Sequence, residues 1–236
     1  MIQIKAMNCY LDRELDMAMK RTQNRPLPSG KMKPRNAFIF SVVISLLSIP
    51  FFLNVSIIVA LLGTIAWTYY VIFYSMYLKK RTPQNIVVGG AAGAFPPLIG
   101  WVGVSGSIDL SAIFLFLIIF FWTPPHAYAL MLVLKEDYKK AMIPMMPIVK
   151  GDKETVRQII IYSVVLLVIT IIPAIMGLFG IFYLISVIIL GATLLLMSVK
   201  LFYTLDSKWA FRVYRYSTIQ LALLFVALVI DQSVIG

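Results

Sequence analysis

The chain runs to 236 residues, of which 61% are hydrophobic, at a mean hydropathy of +0.91, and this composition excludes an ordinary water-soluble domain. Its 21 Lys and Arg against 10 Asp and Glu leave a net charge of +11, a balance that raises the question of a nucleic-acid partner. A single cysteine, Cys9, excludes intramolecular disulfides and cysteine-based zinc sites and reads as a packing residue.

In chain order, residues 1–36 are polar and charged, which does not fit a signal peptide. Seven apolar runs follow, near 37–54, 56–78, 86–104, 110–134, 158–178, 181–203 and 217–235, each long enough to cross a bilayer as a helix. The third carries GGAAGAFPPLIGW, which predicts a closely packed, kinked helix. The fold class expected is all-α, a polytopic transmembrane helical bundle with seven spans, forming a single integral-membrane domain over 1–236. The lipid bilayer is its first partner.

The basic residues decide what the charge means. Residues 1–36 hold eight Lys and Arg, 79–81 three, 135–157 six and 200–215 four, whereas the connections near 54–55, 105–109 and 179–180 hold none. Every second connection is therefore basic, the pattern of the positive-inside rule. Topology accounts for the charge, so no nucleic acid is expected as a partner. The basic side is cytoplasmic, in a multi-pass protein of the cell membrane, or faces the matrix in a mitochondrial inner membrane. All motif-bearing loops then share that face.

The N-terminal segment reads NCYLDRELD and then RTQNRP. On a helix each four-residue step advances about 400°, so Asn8, Asp12 and Asp16 share one face, rising ~6 Å per step. Two carboxylates so spaced can hold divalent cations, and Arg21 and Arg25 follow where the chain leaves the helix, suited to phosphate oxygens. In a membrane protein this points to a lipid-soluble diphosphate. The other reading is a solvated amphipathic helix with i,i+4 pairing, which Arg13 and Glu14 fit because they point away from the acidic face.

Three later segments carry candidates. Lys79, Lys80 and Arg81 are either topology anchors or further phosphate ligands. In FWTPPHAYAL, Pro124-Pro125 removes backbone donors and His126, the only histidine, follows about eight residues, hence ~12 Å, inside the span. An ionisable group at that depth is a functional candidate, and its alternative is a neutral imidazole bonded to a freed carbonyl. Glu136, Asp137 and Tyr138 stand among lysines at the membrane exit, as solvated pairs or as a second carboxylate cluster.

Taken in order, NCYLDRELD…RTQNRPLPSGK, LKKRTPQNIVVGGAAGAFPPLIGW and FWTPPHAYAL…KEDYKKAMIPMMP resemble the protohaem IX farnesyltransferase (haem O synthase) family of UbiA-type intramembrane prenyltransferases. The resemblance runs from about residue 7 to 150. The first motif marks the superfamily; the TPQNIVVGGAAGAFPPLIGW and WTPPH segments mark the haem branch. It implies nine membrane helices around a lipid-accessible cavity, and transfer of farnesyl from farnesyl diphosphate to the vinyl group of haem B, with Mg²⁺, giving haem O and diphosphate. By position it implies Asn8, Asp12 and Asp16 as the first metal-diphosphate motif and Asp137 as the acid of the second. Asp12, Asp16 and Asp137 would be both metal ligands and catalytic. It implies Arg21 and Arg25 on phosphate oxygens, Lys79 and Arg81 as further positive charge for substrate binding, and His126 near the porphyrin. Other haem-biosynthesis or oxidase-assembly proteins become candidate partners.

The chain departs from the family in placing Asn8 only seven residues after Met1, where the family has two preceding helices, so the expectation is an N-terminally truncated member with seven spans. The competing functions are a prenyltransferase for a quinone precursor or glycerophosphate lipid, and a non-catalytic haem-binding assembly protein.

Overall fold

A computed structural model of the chain describes residues 2–79 and 81–235, with side chains described for 5–79 and 81–234. Among the described residues the regular elements are all helices, joined by turns, in the order α1 (Ile2–Leu11), α2 (Arg13–Ala18), α3 (Pro34–Val55), α4 (Ile57–Thr68), a π-helical segment (Tyr69–Leu78), α5 (Asn85–Ser105), α6 (Leu110–Val133), α7 (Lys135–Lys140), α8 (Met146–Val149), α9 (Gly151–Ile175), α10 (Ile181–Thr204) and α11 (Ser207–Ile235). Seven helices among them are long and apolar enough to cross a membrane, α4 and the π segment counting as one. The molecule is a multi-pass membrane protein. Its outward rows of Leu, Ile and Phe, such as Leu46, Phe51, Ile57 and Ile189, are the lipid-facing surface this class requires.

Two spans are longer than hydropathy indicated. The fifth starts at Gly151 rather than near 158, and the seventh at Ser207 rather than near 217. Both extra stretches are charged, and helices continue past the apolar core wherever charged heads reach water. Asp152 and Glu154 lie in the first turn of α9, where acids suit the helix dipole. In α11, Trp209 is flanked by the Lys200 ammonium at 4.2 Å and the Arg212 guanidinium at 5.0 Å.

Local chemistry sets the ends. Pro34 opens α3 at a position that needs no N–H. Ser56 closes α3 through its N–H to the Phe52 carbonyl and caps α4 by accepting from the Val59 N–H at 3.1 Å, so one residue makes the turn. Gly106, at φ +78°, ends α5 in the left-handed conformation. Asp109 caps α6 through the Ala112 N–H at 2.9 Å.

The chain divides into two compact units. The first holds the residues up to 108 together with 135–145, and the second holds 109–134 with 146 onward. In the first, α1 lies on α3 and on the π segment, while α5 packs on α4 and on the same π segment. The small residues of the third span explain that packing. A Cβ at Gly89 would lie 2.3 Å from the Tyr74 ring, so only glycine admits the ring there. In the second unit, α6 packs on α9 and α11, and α10 packs on the same two, closing a four-helix group. Asp231, buried on α11, accepts the N–H groups of Gly180 and Tyr183 (3.1 Å for the latter) and so caps α10, whose own N-cap glycine has no side chain to offer.

Candidate active site

The acidic motif does not lie on one unbroken helix. Asp12 falls between α1 and α2 with φ −89° and ψ 0°, in the sparsely populated bridge region. The four-residue bonding survives the break: Asp12 N–H reaches the Asn8 carbonyl and Asp16 N–H the Asp12 carbonyl, both at 2.8 Å. The shared face of Asn8, Asp12 and Asp16 is therefore kept. Asp12 and Asp16 are both buried, at 4% and 3% exposure, which rules out the solvated-helix reading for these two. Arg13 and Glu14 do behave as surface residues, paired with each other at 3.1 Å.

A buried carboxylate without a partner is costly by several kcal/mol, and each of these two has one. After α2 the chain turns back through 19–32, where buried Thr22 bonds the Asp16 carbonyl at 3.0 Å. That turn carries Arg25 to Asp16, Nη1 to Oδ2 at 2.8 Å. Asp12 is met from the π segment, where the Lys79 ammonium sits on its Oδ2. Four residues earlier, Ser75 donates to Asn8 Oδ1 at 3.1 Å. The Asn8-to-Asp12 step at the end of α1 is thus matched by Ser75 to Lys79 at the end of the π segment.

The π segment sets this register. Lys79 N–H bonds the Tyr74 carbonyl, five residues back, at 3.0 Å. The Lys79 carbonyl accepts from Asn85 Nδ2 at 3.2 Å, and Asn85 is completely buried at the start of α5 with Met145 sulfur 3.7 Å from the same amide. Tyr69 ties the segment to α5 by a hydroxyl bond to the Val88 carbonyl at 2.7 Å.

Of the other residues expected here, Arg21 is exposed, with its charge near enough to Tyr138 on α7 to act on the phenol. Burial is the main reason the Tyr138 phenol ionises above its ordinary value; Asp12 and Asp137 push the same way and Arg21 opposes them. Asp137 is half-buried beside Tyr138, but among the described residues no three of His, Cys, Asp and Glu gather at metal-ligating spacing. The second acidic motif does not close with the first into one carboxylate cluster. Arg81 is not brought to the carboxylates either: it is exposed, with its guanidinium 4.2 Å over the Tyr77 ring one turn earlier. Lys80 lies outside the described residues.

Sequence reasoning missed Ser75, Thr22 and Asn85 and gave Tyr138 no role. Only Ser75 carried a signal, since its spacing from Lys79 repeats that of Asn8 and Asp12. Arg25 also borders an apolar cleft of about 710 Å³ lined by Cys9, Pro26, Leu27, Met32, Ala37 and Phe40. That size is within the ~300–1,000 Å³ of small-molecule pockets.

His126 belongs to the second unit, on α6. Among the described residues its partner is not a freed carbonyl: its Nδ1 lies 2.9 Å from the Ser217 hydroxyl on α11. Trp122, one turn earlier, stacks on the imidazole with centroids 4.2 Å apart and planes at 23°, and Tyr214 approaches at 4.7 Å.

The donor set of the acidic face suits Mg²⁺. Buried carboxylate oxygens with an amide oxygen nearby are hard ligands, and Mg²⁺ commonly takes one or two carboxylates and completes its shell with water and phosphate.

The family model that matches this chain is that of the UbiA prenyltransferase family, over residues 2–228. A protein named protoheme IX farnesyltransferase from Neorickettsia sennetsu is 44% identical over 97% of this chain and 75% of its own length. A protein of the same name from Roseiflexus castenholzii is 43% identical over 97% of this chain, which spans only 43% of that protein's length. The chain thus covers less than half of some of its curated relatives. Among solved structures, a digeranylgeranylglyceryl phosphate synthase superposes with a TM-score of 0.81 at 23% identity, covering 97% of this chain and 80% of the other. A UbiA homolog from Archaeoglobus fulgidus bound to DMAPP and Mg²⁺ superposes at 0.63 with 15% identity, over 96% and 82%. These likenesses establish a shared helical fold, and with the family match they lead to one conclusion: the chain belongs to the UbiA prenyltransferase family.

Proposed function

We propose that this protein transfers the farnesyl group of farnesyl diphosphate to a vinyl group of haem B, giving haem O and diphosphate. The observation that carries the reading is the pairing of two buried carboxylates with two cations, Asp12 with Lys79 and Asp16 with Arg25. Relatives named protoheme IX farnesyltransferase, matched along nearly the whole chain, direct it to haem rather than another acceptor.

In this reading Asp12 and Asp16, with Asn8, would hold Mg²⁺, which when bound would supply charge stabilisation to the departing diphosphate. Lys79 and Arg25 leave the carboxylates for diphosphate oxygens when substrate and metal arrive, and Arg21 adds a third cation at the rim. Asp137 would supply the carboxylate of the second acidic motif for a further Mg²⁺. The apolar cleft beside Arg25 takes the farnesyl tail and keeps water from it. The C1–O bond breaks with its electron pair on the diphosphate. The haem vinyl π electrons attack C1, and water then adds to the resulting porphyrin-side cation, losing a proton, to leave the hydroxyethyl group. His126 faces the porphyrin. The basic connections lie on the cytoplasmic side of the cell membrane, where the diphosphate is delivered; haem-biosynthesis or oxidase-assembly proteins are the partners that supply haem B or receive haem O.

The test is turnover by the purified chain in lipid nanodiscs with haem B, farnesyl diphosphate and Mg²⁺, with haem O measured by mass. Asp12→Ala and Asp16→Ala should each lower it at least ~10²-fold, the usual effect of removing a charge-stabilising group. Farnesylation of a quinone precursor with haem untouched would move the protein to another branch of the family. Haem binding with no consumption of farnesyl diphosphate would make it a haem-carrying protein instead.

A further inference from the structure

We propose that Ser217 is a positioning residue that fixes His126 as the Nδ1–H tautomer, leaving Nε2 as the bare lone pair offered to the haem iron. The inference rests on the haem reading above but is carried by protons that can be counted in the second unit. Ser217 is fully buried on α11, and its hydroxyl oxygen lies 2.7 Å from the Tyr214 carbonyl oxygen, one turn back. Two oxygens at that distance need a proton between them, and only the hydroxyl has one. The same oxygen lies 2.9 Å from His126 Nδ1, where a proton is again required. The hydroxyl proton is already committed to Tyr214, so the second one comes from the imidazole. A neutral ring protonated at Nδ1 has its lone pair at Nε2, which makes no hydrogen bond among the described residues.

Ser217 also steadies the ring indirectly. Its backbone carbonyl accepts the Trp122 indole N–H at 2.8 Å, and Trp122 is the plane against which His126 stacks at 4.2 Å. Tyr214 closes the other approach at 4.7 Å. One residue of α11 therefore sets both the tautomer of His126 and the surface that stops it rotating. In metal-binding histidines the group bonded to the second nitrogen typically changes affinity 10–100-fold when removed.

The experiment titrates ferric haem B into the full chain in nanodiscs, reading the Soret band and the low-temperature EPR spectrum, with farnesyl diphosphate affinity and melting temperature alongside. Ser217→Ala should weaken haem about tenfold or more and give a mixed spectrum, because either tautomer becomes available. Farnesyl diphosphate affinity should be unchanged. Ser217→Thr, which keeps the hydroxyl, should restore a single spectrum. A Ser217→Ala protein with the parent's haem spectrum and affinity, where His126→Ala has lost them, overturns the positioning role and leaves the haem reading standing. Loss of haem, diphosphate affinity and thermal stability together in Ser217→Ala makes the residue a packing element and also overturns it. An unaltered haem spectrum in a folded His126→Ala protein removes the histidine from the iron, and this inference falls with it.

Discussion

Replacing Lys79 by methionine retains most of the aliphatic stem and deletes the ammonium that rests on Asp12. Their side chains keep only 13% and 6% of their exposure, so water does little for either charge. Breaking a buried pair from one side typically costs about 3–5 kcal/mol, because the remaining charge stays buried alone. The residual exposure of Lys79 and the nearby charge of Arg21 argue for the lower end, about 3 kcal/mol. At roughly 2–4 °C per kcal/mol for a chain of this size, the melting temperature should fall by about 6–12 °C. The same deletion exposes Asp12 to a hard cation, so Mg²⁺ or Mn²⁺ should now stabilise the variant more than the parent. A tenfold excess over the dissociation constant returns ~1.4 kcal/mol. Differential scanning fluorimetry with and without metal reads both effects. A Lys79→Met protein that melts within 2 °C of the parent and ignores the metal would refute the reasoning.

Gly89→Ala should cost about 1–3 kcal/mol, because its Cβ would press on the Tyr74 ring that steadies the π segment, whereas Gly93→Ala should be neutral, having nothing within 4 Å; thermal melts of the pair decide this. Asp231→Asn should lower stability by roughly 1–2 kcal/mol through loss of the charged cap on α10, with the acidic face untouched, so a melt that falls while Mg²⁺ affinity holds is the expected signature. Tyr138 sits half-buried in its neutral form with a raised pKa, so its contribution is complete below the ordinary phenol value near 10 and is lost as pH rises through the folded value. The alkaline decline of stability should therefore be shallower in Tyr138→Phe, measured by chemical denaturation between pH 9 and about 11.5.

The spans were readable because hydropathy and length suffice for a helix in lipid, and they failed only where α9 and α11 run on into water. The acidic face was readable because i→i−4 bonding is local, and it outlived a break at Asp12 that residue propensities do not announce. The partners of those acids were not. Lys79 stands 67 residues from Asp12, and its approach depends on how α1 packs against a π segment, which no composition rule marks. Arg81 rests over the ring of Tyr77, four residues before it, a stacking that helical spacing makes legible in the sequence. The imidazole's bond to Ser217, across 91 residues, came only from packing of α6 against α11.

In an ordinary α-helix, depth and azimuth are locked together: each residue adds 1.5 Å and about 100°, so a span cut to fit the bilayer has no say in where its last side chain points. The Tyr69–Leu78 segment loosens that lock, because i→i−5 bonding places about one more residue in every turn. The second span can thus meet the bilayer's thickness and still aim Lys79 at Asp12. Lengthening or shortening it elsewhere by one residue would shift depth by only ~1.5 Å yet swing the ammonium away by about 100°. Lipid would tolerate such a change and the acidic face would not.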